Sequence, residues 1–192
     1  SEYGKTLDNI VKDYDALAGV NGGLYVSTAN KGGHPIGIVV SNGEIQNISG
    51  TGYAGLHLIG LGKDNILKIM DISKKTNEEL KSLIEQEQIR DAICFQDETS
   101  DSNNHFVKLI INGEARELNG LGSGANPRTV IGQRKDGTVL FLVTEGVHTK
   151  GPNLKEVTDT LALYGAYNAA NLDGGTSSSL VIENKLINNP LT

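Results

Sequence analysis

Apolar positions recur along this chain at two periods. Residues 6–14 set Leu7, Ile10, Val11 and Tyr14 on one helical face, with Thr6 at the N-cap position. A second helical stripe, Leu80, Leu83 and Ile84, runs to about Gln88; it starts at Thr76, with Glu79 at the spacing of a capping box. The third covers Asn153 to Tyr164, with Leu154, Val157, Leu161 and Leu163 apolar and Gly165 placed to stop it. Elsewhere the runs are short and either alternate or are wholly apolar. They predict strands near 16–20, 36–41, 44–48, 56–59, 66–70, 92–95, 106–111, 130–133, 138–144 and 168–172, then a final hairpin over Glu183-Asn184. Asn42-Gly43, Asn112-Gly113 and Lys135-Asp136-Gly137 supply turn chemistry, and 30–35 reads as a loop. Short strands with about three helices predict an α+β fold on a mixed β-sheet. No linker or repeat interrupts it, so one domain is expected over residues 1–192.

Composition narrows the function. The chain has 192 residues, of which 38% are hydrophobic and 21% charged, as a globular domain requires. A net charge of -6, with no basic cluster longer than Lys74-Lys75, argues against nucleic acid as a partner. No apolar run approaches the roughly 20 residues of a membrane-spanning helix, and no signal-peptide pattern opens the sequence. The one cysteine, Cys94, lies in an apolar run and reads as a buried small hydrophobe. Trp is absent and aromatics total 5%, which disfavours a glycan-binding platform.

Familiar catalytic signatures are missing. His34, His57, His105 and His148 have no zinc spacing, and Asp97, Thr99 and Asp101 lack the glycine and closing Glu of a calcium loop, so no metal is expected. Gly50 to Gly55 match G-x-G-x-x-G. The residues after them alternate like a strand where a dinucleotide site needs a helix, so no cofactor is expected.

What remains is a set of polar residues where apolar strands stop or start. Asp173 ends a strand and is followed by Gly174-Gly175 and four hydroxyls, Thr176 to Ser179. This is either a polar turn capped by Asp173 or a site for an anionic or sugar-like ligand. Asn21-Gly22-Gly23 is a second such strand end; Arg128 opens a strand, and Glu145 closes one with His148 just beyond. If these strands are neighbours, Arg128 offers a fork for phosphate, and Asp173 and Glu145 offer the carboxylates of acid–base or glycosyl chemistry.

Six ordered blocks carry a resemblance: Val20 to Gly23, Pro35 to Gly43, Asn126 to Gly132, Asp136 to Val143, Asn171 to Gly175 with Ser177-Ser178, and Asn188 to Pro190. Together they resemble the phosphodiester glycosidase family, whose bacterial members are often labelled exopolysaccharide-related. The resemblance implies a hydrolase that cleaves a sugar-1-phosphodiester of the N-acetylhexosamine-1-phosphate type, in surface glycans or wall polymers. The alternative is a noncatalytic domain of the same fold that binds phosphoglycans. The partner implied is a phosphorylated glycan or sugar phosphate, and the location implied is extracellular or at the cell surface.

Asp173, Glu145 and Arg128 are the catalytic residues expected on this resemblance. Asp173 would be the nucleophile or the base on water, with Glu145 as its partner. Arg128 and the N–H groups from Gly174 to Ser177 would hold the phosphate. Asn21, Gly22, Gly23, Gly174, Gly175, Ser177, Ser178, Asn189 and His148 would contact substrate. The chain departs from the family pattern at Leu24, at Val147 (where a cation is usual), and in the acidic stretch Asp97 to His105.

Overall fold

A computed structural model describes residues 4–28, 32–97, 106–118, 124–146 and 151–190. Helix α1 (Leu7–Asp13) leads into strand β1 (Ala18–Val20), and β2 (Tyr25–Ser27) and β3 (Gly33–Pro35) form a two-stranded ribbon. The first large sheet contains β4 (Gly37–Ser41), β5 (Glu44–Ser49), β6 (Leu56–Gly62), β7 (Leu67–Asp71) and β8 (Ile89–Gln96), in the order β5-β4-β8-β6-β7. Helix α2 (Asn77–Gln86) joins β7 to β8. The second large sheet contains β9 (Lys108–Ile111), β10 (Glu114–Ala115), β11 (Arg128–Arg134), β12 (Val139–Thr144) and β13 (Ala166–Asn171), in the order β10-β9-β13-β11-β12. Helix α3 (Leu154–Leu163) precedes β13. Strand β14 (Leu180–Ile182) returns to pair with β1, and β15 (Lys185–Leu186) pairs with β14. The fold is α+β and mostly strand, as the pattern predicts, and its ladders run antiparallel.

Side-chain alternation builds four layers. Leu80 and Ile84 of α2 pack with Ile38, Val40, Leu56, Leu58 and Cys94 on one face of the first sheet. The opposite face, through Ile59, Leu67 and Phe95, meets Ala170 and Leu172 of the second sheet. That sheet's outer face, through Leu109, Val130 and Ala169, takes Leu154, Val157 and Leu161 of α3. Each fully buried aliphatic here contributes about 1.5–3 kcal/mol. Gln133 crosslinks the two sheets; its Oε1 accepts from Leu67 N at 2.8 Å and its Nε2 donates to Asn65 O at 2.7 Å.

Local chemistry matches expectation where it is short-range. Thr76 with Glu79 closes the expected capping box, and Asn153 with Glu156 closes a second one that the sequence reading does not single out. Thr6 occupies the α1 N-cap position without a capping bond from its side chain. Gly50 to Gly55 lead directly into β6, so this glycine run opens a strand and not a nucleotide-binding helix. One expectation is corrected: 30–35 is not all loop, because Gly33–Pro35 pair with Tyr25–Ser27. All six paired residues are exposed, so no alternation of burial marks the ribbon in the sequence.

Candidate active site

The site forms where β13 ends. Val130 of β11 faces Asn171 of β13, and Leu172 N still donates to Thr129 O at 2.8 Å past the end of β13. Continuing that register sets Arg128 opposite Asp173. The chain then turns sharply. Gly175 N donates to Pro127 O at 3.0 Å, and a Cβ on Gly174 would sit 2.7 Å from that same carbonyl, so the turn presses against the start of β11 as only glycine allows.

A cleft of about 310 Å³ opens here, lined by Arg128, Asp173, Gly174 and Gly175, with Asn126, Pro127 and Asn171 beside them. Leu24, Phe95 and Gln96 of the first sheet's side complete the wall. Arg128 is only 3% exposed. Its Nη2 donates to Gly124 O at 2.9 Å, and its backbone N donates to Thr144 Oγ1 at 2.8 Å. Burial pushes its guanidinium pKa down, yet a guanidinium stays charged at neutral pH. A desolvated cation lining a cleft favours an anionic ligand.

Asn21 reaches the same place from β1 but serves the protein. Its Nδ2 donates to Asp173 O at 2.7 Å, and its Oδ1 accepts from Thr129 Oγ1 at 2.7 Å and from Ser179 N at 3.0 Å. Gly22 O accepts from Asp173 N at 3.2 Å. Gly23 packs so close to β8 that a Cβ would lie 2.2 Å from Cys94 O. The Asn-Gly-Gly segment therefore buttresses the Asp173 turn, and the residue it sends into the cleft is Leu24.

Of the expected phosphate cradle of backbone N–H groups, most donors are engaged by the protein itself. Asp173 Oδ1 accepts from Gly174 N at 3.0 Å, Pro127 O takes Gly175 N, and the 3-10 turn Gly175–Ser177 uses Ser177 N and Ser178 N on Gly174 O and Gly175 O. Three of the four donors from Gly174 to Ser177 are thus engaged within the protein, Thr176 N being the exception, and Arg128 is the cation in the cleft lining among the described residues. Ser178 is buried, and Ser177 is not part of the cleft lining.

Glu145 and Asn189 come together, but at the rim. Glu145 is exposed, its Oε1 accepts from Asn189 N at 2.5 Å, and neither residue lines the cleft. Among the described residues, Asp173 is thus the one carboxylate in the cleft wall. His148 and Val147 lie outside the described residues, as do Thr99, Asp101 and His105. No cluster of three or more His, Cys, Asp or Glu occurs among the described residues. None of their helices is long and apolar enough to cross a membrane. Sequence reasoning passes over Asn171, Asn126, Leu24 and Phe95; the first two sit inside the Asn-Leu-Asp-Gly-Gly and Asn-Pro-Arg blocks, which is the signal that could have found them.

Comparison with known proteins places this geometry. A solved catalytic domain of zebrafish N-acetylglucosamine-1-phosphodiester alpha-N-acetylglucosaminidase, auto-inhibited by its pro-peptide, superposes with a TM-score of 0.73 at 23% identity, over 97% of this chain and 60% of that one. A hypothetical protein from Synechocystis matches with a TM-score of 0.55 at 16% identity, over 96% of this chain and 50% of that one. These likenesses concern the fold. Among curated proteins, the SPbeta prophage-derived uncharacterized protein YomE of Bacillus subtilis (strain 168) is 38% identical over 66 residues, 33% of this chain and 10% of that protein. The chain therefore spans between a tenth and three-fifths of these relatives. Residues 14–192 match the phosphodiester glycosidase family, and the chain belongs to that family.

Proposed function

We propose that this domain hydrolyses a sugar-1-phosphodiester of the N-acetylhexosamine-1-phosphate type, carried on a surface glycan or wall polymer outside the cell. The observation that carries the reading is the pairing, in one cleft, of buried Arg128 with the Asp173 turn opposite it. Arg128 binds the phosphodiester and stabilises the charge that gathers on phosphate as it leaves. Asp173 takes a proton from water, the water oxygen bonds the anomeric carbon, and the bond from that carbon to the phosphate oxygen breaks with its electron pair going to phosphate. The leaving group is a weak base, so no strong general acid is required. One cleft carboxylate suits a single displacement with inversion. If Asp173 attacks carbon instead, the product anomer is retained.

Asn21 and Gly22 act in this reading as supports for Asp173, and Glu145 with Asn189 as a clasp at the rim. Incubation with a sugar-1-phosphodiester, followed by assay of reducing sugar and of product anomer, tests the proposal. Wild type releases sugar, and Asp173→Asn loses about 10² to 10⁴-fold in kcat. If both proteins are equally inactive across several sugars while still binding them, the domain is a phosphoglycan-binding module and the hydrolytic reading falls.

A further inference from the structure

Asn171 is the cleft residue whose chemistry is left over. It is 2% exposed, lines the cleft, and sits two residues before Asp173 at the end of β13. Its backbone is engaged, with Asn171 N donating to Val107 O at 2.8 Å. Its side chain is not: Oδ1 is fully buried without a hydrogen-bond partner, and no bond is made by Nδ2. Buried amides in folded proteins are normally satisfied by protein or water, because an unpaired polar group keeps the whole cost of its desolvation. Gln133, the comparably buried amide between the sheets, makes three hydrogen bonds through its side chain. An unused amide in the wall of a cleft is the signature of a group reserved for a ligand.

The ligand part it fits follows from donor and acceptor counts. A carboxamide offers one acceptor oxygen and two N–H donors. Oδ1 is sealed from solvent, so it gains a partner only when the amide turns toward the cleft, and a phosphodiester, which carries acceptors only, gives nothing to an oxygen so turned. A sugar hydroxyl, or an amide substituent on a sugar, donates and accepts together. In extended chain, residues two apart are separated by roughly 6–7 Å, which lets a sugar ring on Asn171 present its anomeric carbon to Asp173. The apolar side chains of Leu24 and Phe95 give the same cleft a surface for the C–H face of a ring.

We infer that Asn171 is a substrate-contacting residue that hydrogen-bonds the glycosyl half of the substrate, so that the sugar lies toward Asn171 and the phosphate toward Arg128. This deepens the hydrolytic reading and rests on it. It also fixes the polarity of the substrate in the cleft, and it makes discrimination between sugars a property of residue 171.

The test pairs substrate changes with residue changes. Wild type, Asn171→Ala and Asn171→Leu are assayed on a sugar-1-phosphodiester and on its deoxy analogues, each lacking one polar substituent of the ring. Wild type loses about tenfold or more in kcat/KM on at least one analogue. Asn171→Ala loses a similar factor on the parent and nothing further on that analogue. Melting temperatures of both variants stay level or rise, because a buried polar group without a partner has been removed. Equal losses by the variants on the parent and on every analogue, or a marked fall in melting temperature, would overturn the inference and reduce Asn171 to a structural residue.

Binding of the free sugar, read by saturation-transfer NMR, separates this failure from failure of the proposed reaction. A wild type that hydrolyses nothing but binds free sugar, with binding lost in Asn171→Ala, keeps the sugar contact and discards the chemistry. A wild type that hydrolyses the diester, with discrimination unchanged in both variants, keeps the chemistry and discards the contact. Neither hydrolysis nor sugar binding in wild type discards both.

Discussion

Asn21 holds the carbonyl oxygen of Asp173 at 2.7 Å through its side-chain amide, although 152 residues separate them in the chain. The same side chain accepts hydrogen bonds from Thr129 Oγ1 and Ser179 N, so one amide fixes β11, the Asp173 turn and the approach to β14 together. Replacing it by Ala strips three bonds from a part-buried junction and leaves the Thr129 hydroxyl, on a residue with no exposure, without its acceptor. Asn21→Ala is therefore expected to cost about 2–4 kcal/mol, read by urea unfolding. Asn21→Asp keeps both acceptor bonds but sets a carboxylate oxygen against the Asp173 carbonyl. Its turnover is expected to fall further than its stability.

Gly174 is constrained by space. A methyl group there meets the Pro127 carbonyl at 2.7 Å, and backbone cannot swing aside as a side chain can. Gly174→Ala should displace the Asp173 turn from β11 and cost about 1–3 kcal/mol. Its signature is a loss of kcat about 100-fold, the scale of a 1 Å misplacement of a catalytic group. Hydrolysis close to wild type would mean that the turn does not position the reacting carboxylate.

The elements built by short-range chemistry are legible in the sequence. Helix α2 announces itself by an apolar stripe and a capping box, α3 by its stripe and the Gly165 stop, and the Asn42-Gly43 turn, with φ values of +52° and +80°, by its residue types. The strand-end residues Asn21, Arg128 and Asp173 are legible as a group because each interrupts an apolar run. Whether a polar strand-end side chain faces ligand or protein is not legible. Asn21 is expected on the family resemblance to contact substrate and is a strut; Asn171 reads like part of a strand and is the amide left unused. That difference depends on which groups from distant strands reach each amide, and register between strands so far apart in the chain leaves no local trace. The β2–β3 ribbon escapes the pattern because it buries nothing.

Cys94 gives a prediction in pH. Its thiol is buried; Sγ donates to Ile38 O at 3.3 Å and accepts from Ile38 N at 3.2 Å. Burial, the dominant cause, pushes its pKa up from 9.0 to about 11. A raised thiol pKa means that the folded state favours the protonated form. The contribution to stability is full below the unfolded value and is lost as pH rises from about 9 to about 11. A rise of that size corresponds to about 2–3 kcal/mol. Urea midpoints should drop across that window, and a thiol reagent at pH 8 should label native protein far more slowly than unfolded protein. Rapid labelling of native protein at pH 8 would show that the thiol is open to solvent.

Glu145 separates one catalytic carboxylate from two. The sequence offers it as the partner of Asp173, as expected of a pair flanking a glycosidic bond. In the fold it is exposed, outside the cleft lining, and accepts the backbone N–H of Asn189 at 2.5 Å. Glu145→Gln keeps a carbonyl oxygen for that bond and removes only the charge. A clasp of this kind, screened by solvent, is worth about 0.5–1.5 kcal/mol, so the variant should unfold near wild type and retain kcat within about threefold. Asp173→Asn, by contrast, removes the proton acceptor and should abolish most turnover. A loss in Glu145→Gln as deep as that in Asp173→Asn would bring the rim carboxylate into the reaction, in a cleft that closes over its substrate.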